Sequence, residues 1–160
     1  MACPFFVPIE RADDLALPHP ARLPLGAAWR GSCAAPGHEQ AIPDNEEFEG
    51  CNLGYAKSCP RLPKKRNCDA VRFGVVKESG SLISLQVVFE SQYRPAGDEF
   101  LEYDSKTGGP PIRLPRFAGS LSAGPVAGGL GSDWSSAHSE SSVQKQAECF
   151  LQTYLERRIR

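Results

Sequence analysis

The chain has 160 residues, with 18 Lys and Arg against 19 Asp and Glu for a net charge of −1, so nothing global attracts it to nucleic acid or to an anionic membrane. That length suits one domain, or a small domain with a tail, and is enough to bury a core without cross-links. The 15 Gly and 14 Pro predict much irregular backbone.

The N-terminus reads Met-Ala-Cys-Pro-Phe-Phe-Val-Pro, without a basic leader or an apolar run. That argues against a signal peptide or a lipoprotein anchor at Cys3. No stretch of the sequence is long and apolar enough to cross a bilayer. The expectation is a cytoplasmic protein with reduced thiols.

Residues 1–69 are punctuated by nine prolines and show no sustained helical or strand period, apart from a short helical turn near Ile9–Leu17. A segment this irregular needs something besides its own ladders to fix its shape, and a metal held by cysteines would supply it. Five of the six cysteines fall here: Cys3, Cys33, Cys51, Cys59 and Cys68.

Residues 70–104 read as strands. Ala70–Val76 and Leu82–Glu90 are rich in β-branched and aromatic residues, with Ser79-Gly80-Ser81 as a hairpin turn. Tyr93-Arg-Pro-Ala-Gly-Asp98 reads as a second turn, and Glu99–Tyr103 as a third strand. The result is an antiparallel meander with the cysteine-rich segment over one face.

Residues 105–140, dominated by Gly, Ser, Pro and Ala, read as a flexible linker in which Trp134 is the one docking residue. A phosphate cradle there lacks the preceding strand and the Lys-Ser/Thr of a P-loop. Residues 141–160 read as an amphipathic helix, with Ser141 and Gln144 as a capping box. Val143, Ala147, Phe150, Leu151, Tyr154, Leu155 and Ile159 make its apolar face, with Cys149 at the edge as a packed thiol. Arg157, Arg158 and Arg160 complement the helix dipole.

The expected fold is therefore α+β. It comprises a metal-binding domain over 1–104 with its antiparallel sheet at 70–104, a Gly/Ser linker over 105–140, and a C-terminal helix over 141–160.

Three readings of the cysteines compete: an iron–sulfur cluster, a structural zinc, or thiols that merely pack. Reduced surroundings favour metal over disulfides. Cys3-Pro4 and Cys59-Pro60 reproduce the Cys-Pro dipeptide of bacterial ferredoxin-type runs. Gly31 and Gly50 lie beside Cys33 and Cys51, where backbone N–H groups can approach sulfur. No Cys-x2-Cys knuckle of the structural-zinc kind exists, although the dense ferredoxin run is missing too. The cluster reading therefore ranks first, as 4Fe–4S before 2Fe–2S, with zinc as the alternative.

Cys3, Cys33, Cys51 and Cys59 are the expected ligands, each beside Gly, Pro, Ser or Asn as loop ligands should be. Cys68 is the spare, and Cys3 is the most remote of the four. His38 is the one histidine able to replace a thiolate, against its plainer reading as a solvated loop residue. Asn52, Tyr55, Phe5 and Phe6 are candidates to shield the site. His19 and His138 have no recognisable partner.

A cysteine-nucleophile enzyme would draw on Cys33, His38 and Asp44, but no nucleophile elbow, Walker A, His-Glu-x-x-His or dinucleotide fingerprint is present. No catalytic residue is assigned. The basic run Pro60-Arg-Leu-Pro-Lys-Lys-Arg-Asn67 follows Asp44, Glu46, Glu47 and Glu49, so a salt-bridged face is the commoner outcome. Beside a cluster it would guide an acidic protein redox partner. The function expected is a small iron–sulfur protein of electron transfer or redox sensing, with a protein redox partner or as a subunit of a complex, or else a zinc-stabilised interaction module. The C-terminal helix docks either in cis or in a homo-oligomer or partner interface.

Overall fold

A computed structural model describes residues 1–17, 22–55, 59–114 and 140–159. Two antiparallel sheets and two helices build an α+β fold. The first sheet is a ribbon of β1 (Phe6–Arg11) and β2 (Trp29–Cys33). The second runs β3-β4-β5-β6, from β3 (Ala70–Ser79), β4 (Leu82–Ser91), β5 (Arg94–Asp104) and β6 (Ile112–Arg113). Helix α1 is Asn45–Leu53, and α2 is Glu140–Ile159.

The cysteine-rich segment is more regular than its prolines suggest. Ile9 lies in β1 and not in a helical turn. Pairing with β2 decides the matter, since Phe6 stands opposite Cys33 and Arg11 opposite Trp29. Gly31 serves this pairing: a Cβ there would meet the Val7 carbonyl oxygen at 2.0 Å. It allows two backbones to approach, which is a packing reason for a glycine first read as making room for sulfur.

Helix α1 starts at a capping box. Asp44 accepts from the Glu47 N–H at 2.8 Å, and the Glu47 carboxylate accepts from the Asp44 N–H at 2.9 Å. It ends at Gly54, with φ 67°, where a Cβ would meet the Met1 carbonyl oxygen at 2.5 Å.

The meander is as expected, with one shift. Gly80, at φ 63°, and Ser81 form the first turn. The second lies at Gln92-Tyr93 and not over residues 93–98, which mostly belong to β5. Both turn residues have positive φ, 51° and 61°, as a type I′ hairpin needs, although neither is glycine. Tertiary contacts hold them there. The Gln92 N–H donates to Asp69 at 2.8 Å, and Tyr93 stacks on Tyr55 with ring centroids 4.1 Å apart. Pro95 is tolerated because β6 pairs only with Leu101 and Glu102, leaving the start of β5 as a sheet edge.

Alternate residues Ile83, Leu85, Val87 and Phe89 of β4 turn one face of the sheet into the core. Phe6, Trp29, Phe48, Val71, Phe73 and Leu101 pack there, together with α2 through Val143, Ala147 and Leu151. The helix therefore docks in cis, chiefly on β1. Phe150, Tyr154 and Leu155 are partly buried, but Ile159 is 87% exposed and does not extend the expected apolar face. Cys149 is buried, as a packed thiol. Ion pairs tie the helix further, from Arg11 to Glu156 and from Arg158 to Glu78.

Of the segment read as a linker, residues 105–114 form a turn and β6. Residues 115–139, including Trp134 and His138, lie outside the described residues, as do His19, Arg160 and the side chain of Ser141 with its capping box. Among the described residues no helix is long and apolar enough to cross a membrane.

Candidate thiolate site

Cys3, Cys33, Cys51 and Cys59 line a single cavity of about 210 Å³. They arrive there from four separate pieces of backbone. Cys3 follows Ala2, which pairs with Val71 on the outer edge of β3 by two hydrogen bonds of 2.7 and 2.8 Å. Its own N–H donates to the Cys51 carbonyl at 2.9 Å, so two of the four thiol residues are joined directly by backbone. A tight turn then returns the chain, with the Phe6 N–H donating to the Cys3 carbonyl at 3.1 Å.

Cys51 sits in the last turn of α1, on a helix and not in a loop. The face it shares with Glu47, Gly50 and Gly54 lines the cavity, the i, i+3, i+4, i+7 spacing of one helical side. Cys33 ends β2, and its N–H and carbonyl pin the following loop through Ala41 and Gln40 at 2.8 Å each. The Ala35 N–H donates to Cys33 Sγ at 3.4 Å, the kind of backbone contact that steadies a thiolate. Cys59 begins the basic run, and the Leu62 N–H donates to its carbonyl at 3.2 Å.

Phe5, Phe6, Ala35, Pro43, Pro60 and Leu62 make the walls largely apolar. Burial is the main reason the Cys3 thiol is pushed up to about 12, with the neighbouring Cys33 and Cys59 adding to it. Burial also pushes Cys51 up, with Cys3, Cys59 and Cys33 next in effect. A set of thiols like this resists ionisation until a cation compensates the charge. Among the described residues no three His, Cys, Asp or Glu side chains are gathered so as to hold a metal ion. The four thiols are spread among the residues that line the cavity.

The remaining candidates lie elsewhere. Cys68 is fully buried in the core and does not line the cavity; burial, then the adjacent Asp69 charge, pushes its thiol up to about 12. His38 is exposed in the loop after β2 and stands outside the cavity lining. Asn52 and Tyr55 do not shield the site. Asn52 turns into the core, where it accepts from the Trp29 N–H at 2.9 Å and donates to the Trp29 carbonyl at 3.0 Å. Tyr55 packs on Tyr93.

The basic run is partly neutralised. Arg61 pairs with Glu47 at 2.8 Å, both lining the cavity, and Arg66 pairs with Asp69 at 2.6 Å. Lys64 and Lys65 are exposed. The helix beneath Cys51 had a legible signal, since Asp44 is followed three residues on by Glu47. The Arg61–Glu47 pair belongs to the salt-bridged face expected of the basic run beside Asp44, Glu46, Glu47 and Glu49, although which residues would pair was not legible across a separation of 14 residues.

No protein family, curated protein or solved structure matches this chain.

Proposed function

We propose that the protein holds an iron–sulfur cluster, as 4Fe–4S, on Cys3, Cys33, Cys51 and Cys59, and acts in electron transfer or redox sensing. One observation carries the reading: four thiols from separate segments share one largely apolar cavity. The shape of the site supports a cluster over zinc. A single zinc needs its four sulfurs about 2.3 Å from one point. A cluster of four irons takes one thiolate at each corner and spreads them around a volume. Among the described residues no three ligands converge on one point, and the four thiols instead share the lining of one cavity.

When bound, such a cluster supplies reversible one-electron transfer. The chain supplies the rest. Phe5, Phe6 and Leu62 keep water from the sulfurs, which favours the state of lower charge. The Ala35 N–H offsets negative charge on Cys33. Lys64 and Lys65, exposed on the run that starts at Cys59, offer an acidic protein partner a place to approach. Anaerobic purification with iron, acid-labile sulfide and zinc analysis tests the reading. Iron and sulfide with visible absorption are expected. Colourless protein with stoichiometric zinc would replace it with the zinc-stabilised interaction module, and folded protein with neither would end both.

A further inference from the structure

The turn that carries Cys3 is gripped from the far end of the chain. Gln146 Nε2, in α2, donates to the Cys3 carbonyl at 2.9 Å and to the Phe6 carbonyl at 2.7 Å. Ser142 Oγ donates to the Pro4 carbonyl at 2.7 Å. Three carbonyls within the four-residue stretch Cys3-Pro4-Phe5-Phe6 are thereby satisfied by one helix. Both side chains are fully buried, and they lie one helical turn apart on the face that meets β1.

Gln146 is costly to bury for packing alone. Its Oε1 has no hydrogen-bond partner among the described residues, so its amide is used only as a donor to this turn. A buried polar atom left unpaired costs about 1–3 kcal/mol. An apolar residue of the same length would avoid that cost but would take a donor from both the Cys3 and Phe6 carbonyls, leaving that of Cys3 only the Phe6 N–H. What it could not do is fix the direction of the Cys3 and Phe6 carbonyls.

We propose that Gln146 and Ser142 are positioning residues for the Cys3 ligand, so that occupancy of the thiolate site and docking of α2 stabilise one another. This rests on the reading of Cys3 as a ligand. It gives a redox-sensing role a physical output: loss of the bound group frees the Cys3 turn, and the freed turn loosens α2. Linkage makes the effect reciprocal, with the usual range for such coupling about 5- to 150-fold.

The test uses the full-length chain, reconstituted anaerobically with ferrous iron and sulfide. Amide exchange across residues 142–154 should slow about tenfold on loading, within that range. Gln146→Met keeps the length and removes both donors. It should lose bound iron to a chelator about tenfold faster and change the visible circular dichroism of the loaded protein. Thr153→Val is the comparison. Thr153 is buried on the same helix and donates only to the Cys149 carbonyl, at 3.0 Å, so it perturbs α2 without touching the turn. It should lower stability and, through the weaker docking of α2, speed iron loss by clearly less than Gln146→Met, while leaving the visible spectrum unchanged because no donor to the Cys3 turn is lost. A loaded wild type whose helix exchanges at the unloaded rate would overturn the coupling and leave the cluster reading intact. So would equal iron loss from Gln146→Met and Thr153→Val. Wild-type protein that takes up no iron or sulfide would overturn both.

Discussion

Asn52→Ala should be among the most damaging single substitutions in this chain, and the cost can be worked from the geometry. The Asn52 side chain is 1% exposed. Its Oδ1 accepts from the Trp29 N–H at 2.9 Å, and its Nδ2 donates to the Trp29 carbonyl at 3.0 Å and the Phe48 carbonyl at 2.8 Å. The amide thus pairs the outer edge of β2 as a further strand would. Phe48 keeps its helical partner after truncation, because its carbonyl lies one turn before residue 52. The two groups of Trp29 do not. Two buried backbone groups left unpaired at about 1–3 kcal/mol each give a loss near 3 kcal/mol once some water enters. For a chain of this size that is a fall in Tm of roughly 6–12 °C. Denaturant unfolding of the metal-free protein measures it, with the midpoint moving and the slope unchanged. Asn52→Leu separates packing from hydrogen bonding, since it restores volume and offers no polar atom. It should lose about as much as Asn52→Ala. Wild-type stability in Asn52→Leu would refute the reasoning, since it would mean that the amide pairs nothing that matters.

Three further outcomes are expected. Cys51→Ser and Cys59→Ser should each raise amide exchange across residues 1–69 in iron-loaded preparations, whereas Cys149→Ser is close to silent; equal exchange in all three would remove the metal as organiser of that region. Reversing the Arg61–Glu47 pair singly (Arg61→Glu or Glu47→Arg) should speed alkylation of Cys59, and the double reversal should restore much of the protection; additive single effects would show that the pair does not hold the loop to α1. Burial pushes Cys149 up to about 11 from an ordinary value of 9.0, so its contribution to stability is complete below pH 9 and is lost as pH rises toward 11; Cys149→Ala should flatten that alkaline decline, and an unchanged pH profile of unfolding would count against it.

The parts of the fold legible in the sequence are those whose burial repeats. Ile83, Leu85, Val87 and Phe89 alternate along β4, and Val143, Ala147 and Leu151 recur by helical turns along α2. Where contacts from outside the element decide, the pattern misleads. Ile9 resembles part of a helical turn until β2 pairs alongside it. Gln92-Tyr93 offers no glycine, and its left-handed backbone is held by Asp69 and Tyr55, 23 and 38 residues away. The buried polar stripe of Ser142, Gln146 and Thr153 is hidden for the same reason. Composition alone would send such residues to the solvent side of α2.

The candidate site divides along the same line. Its thiols could be named from the sequence because cysteines are few and each stands in a distinctive local setting. Its geometry could not, because nothing local brings Cys3 beside Cys51, 48 residues on; that takes the pairing of Ala2 with Val71 and the bond from the Cys3 N–H to the Cys51 carbonyl. Exposure then separates the cysteines in a way spacing alone does not. Cys68 and Cys149 are buried among core side chains, while Cys3, Cys33, Cys51 and Cys59 keep some access to the shared cavity. A buried thiol in an apolar core packs as a small hydrophobe and gains nothing from ionising. A partly accessible thiol beside three others has lost part of its hydration without gaining full packing, and a metal can repay that loss. The bond from the Cys3 N–H to the Cys51 carbonyl therefore holds two of these thiols in a setting whose cost a bound group would offset, and Cys3 is tied in turn to α2 through Gln146.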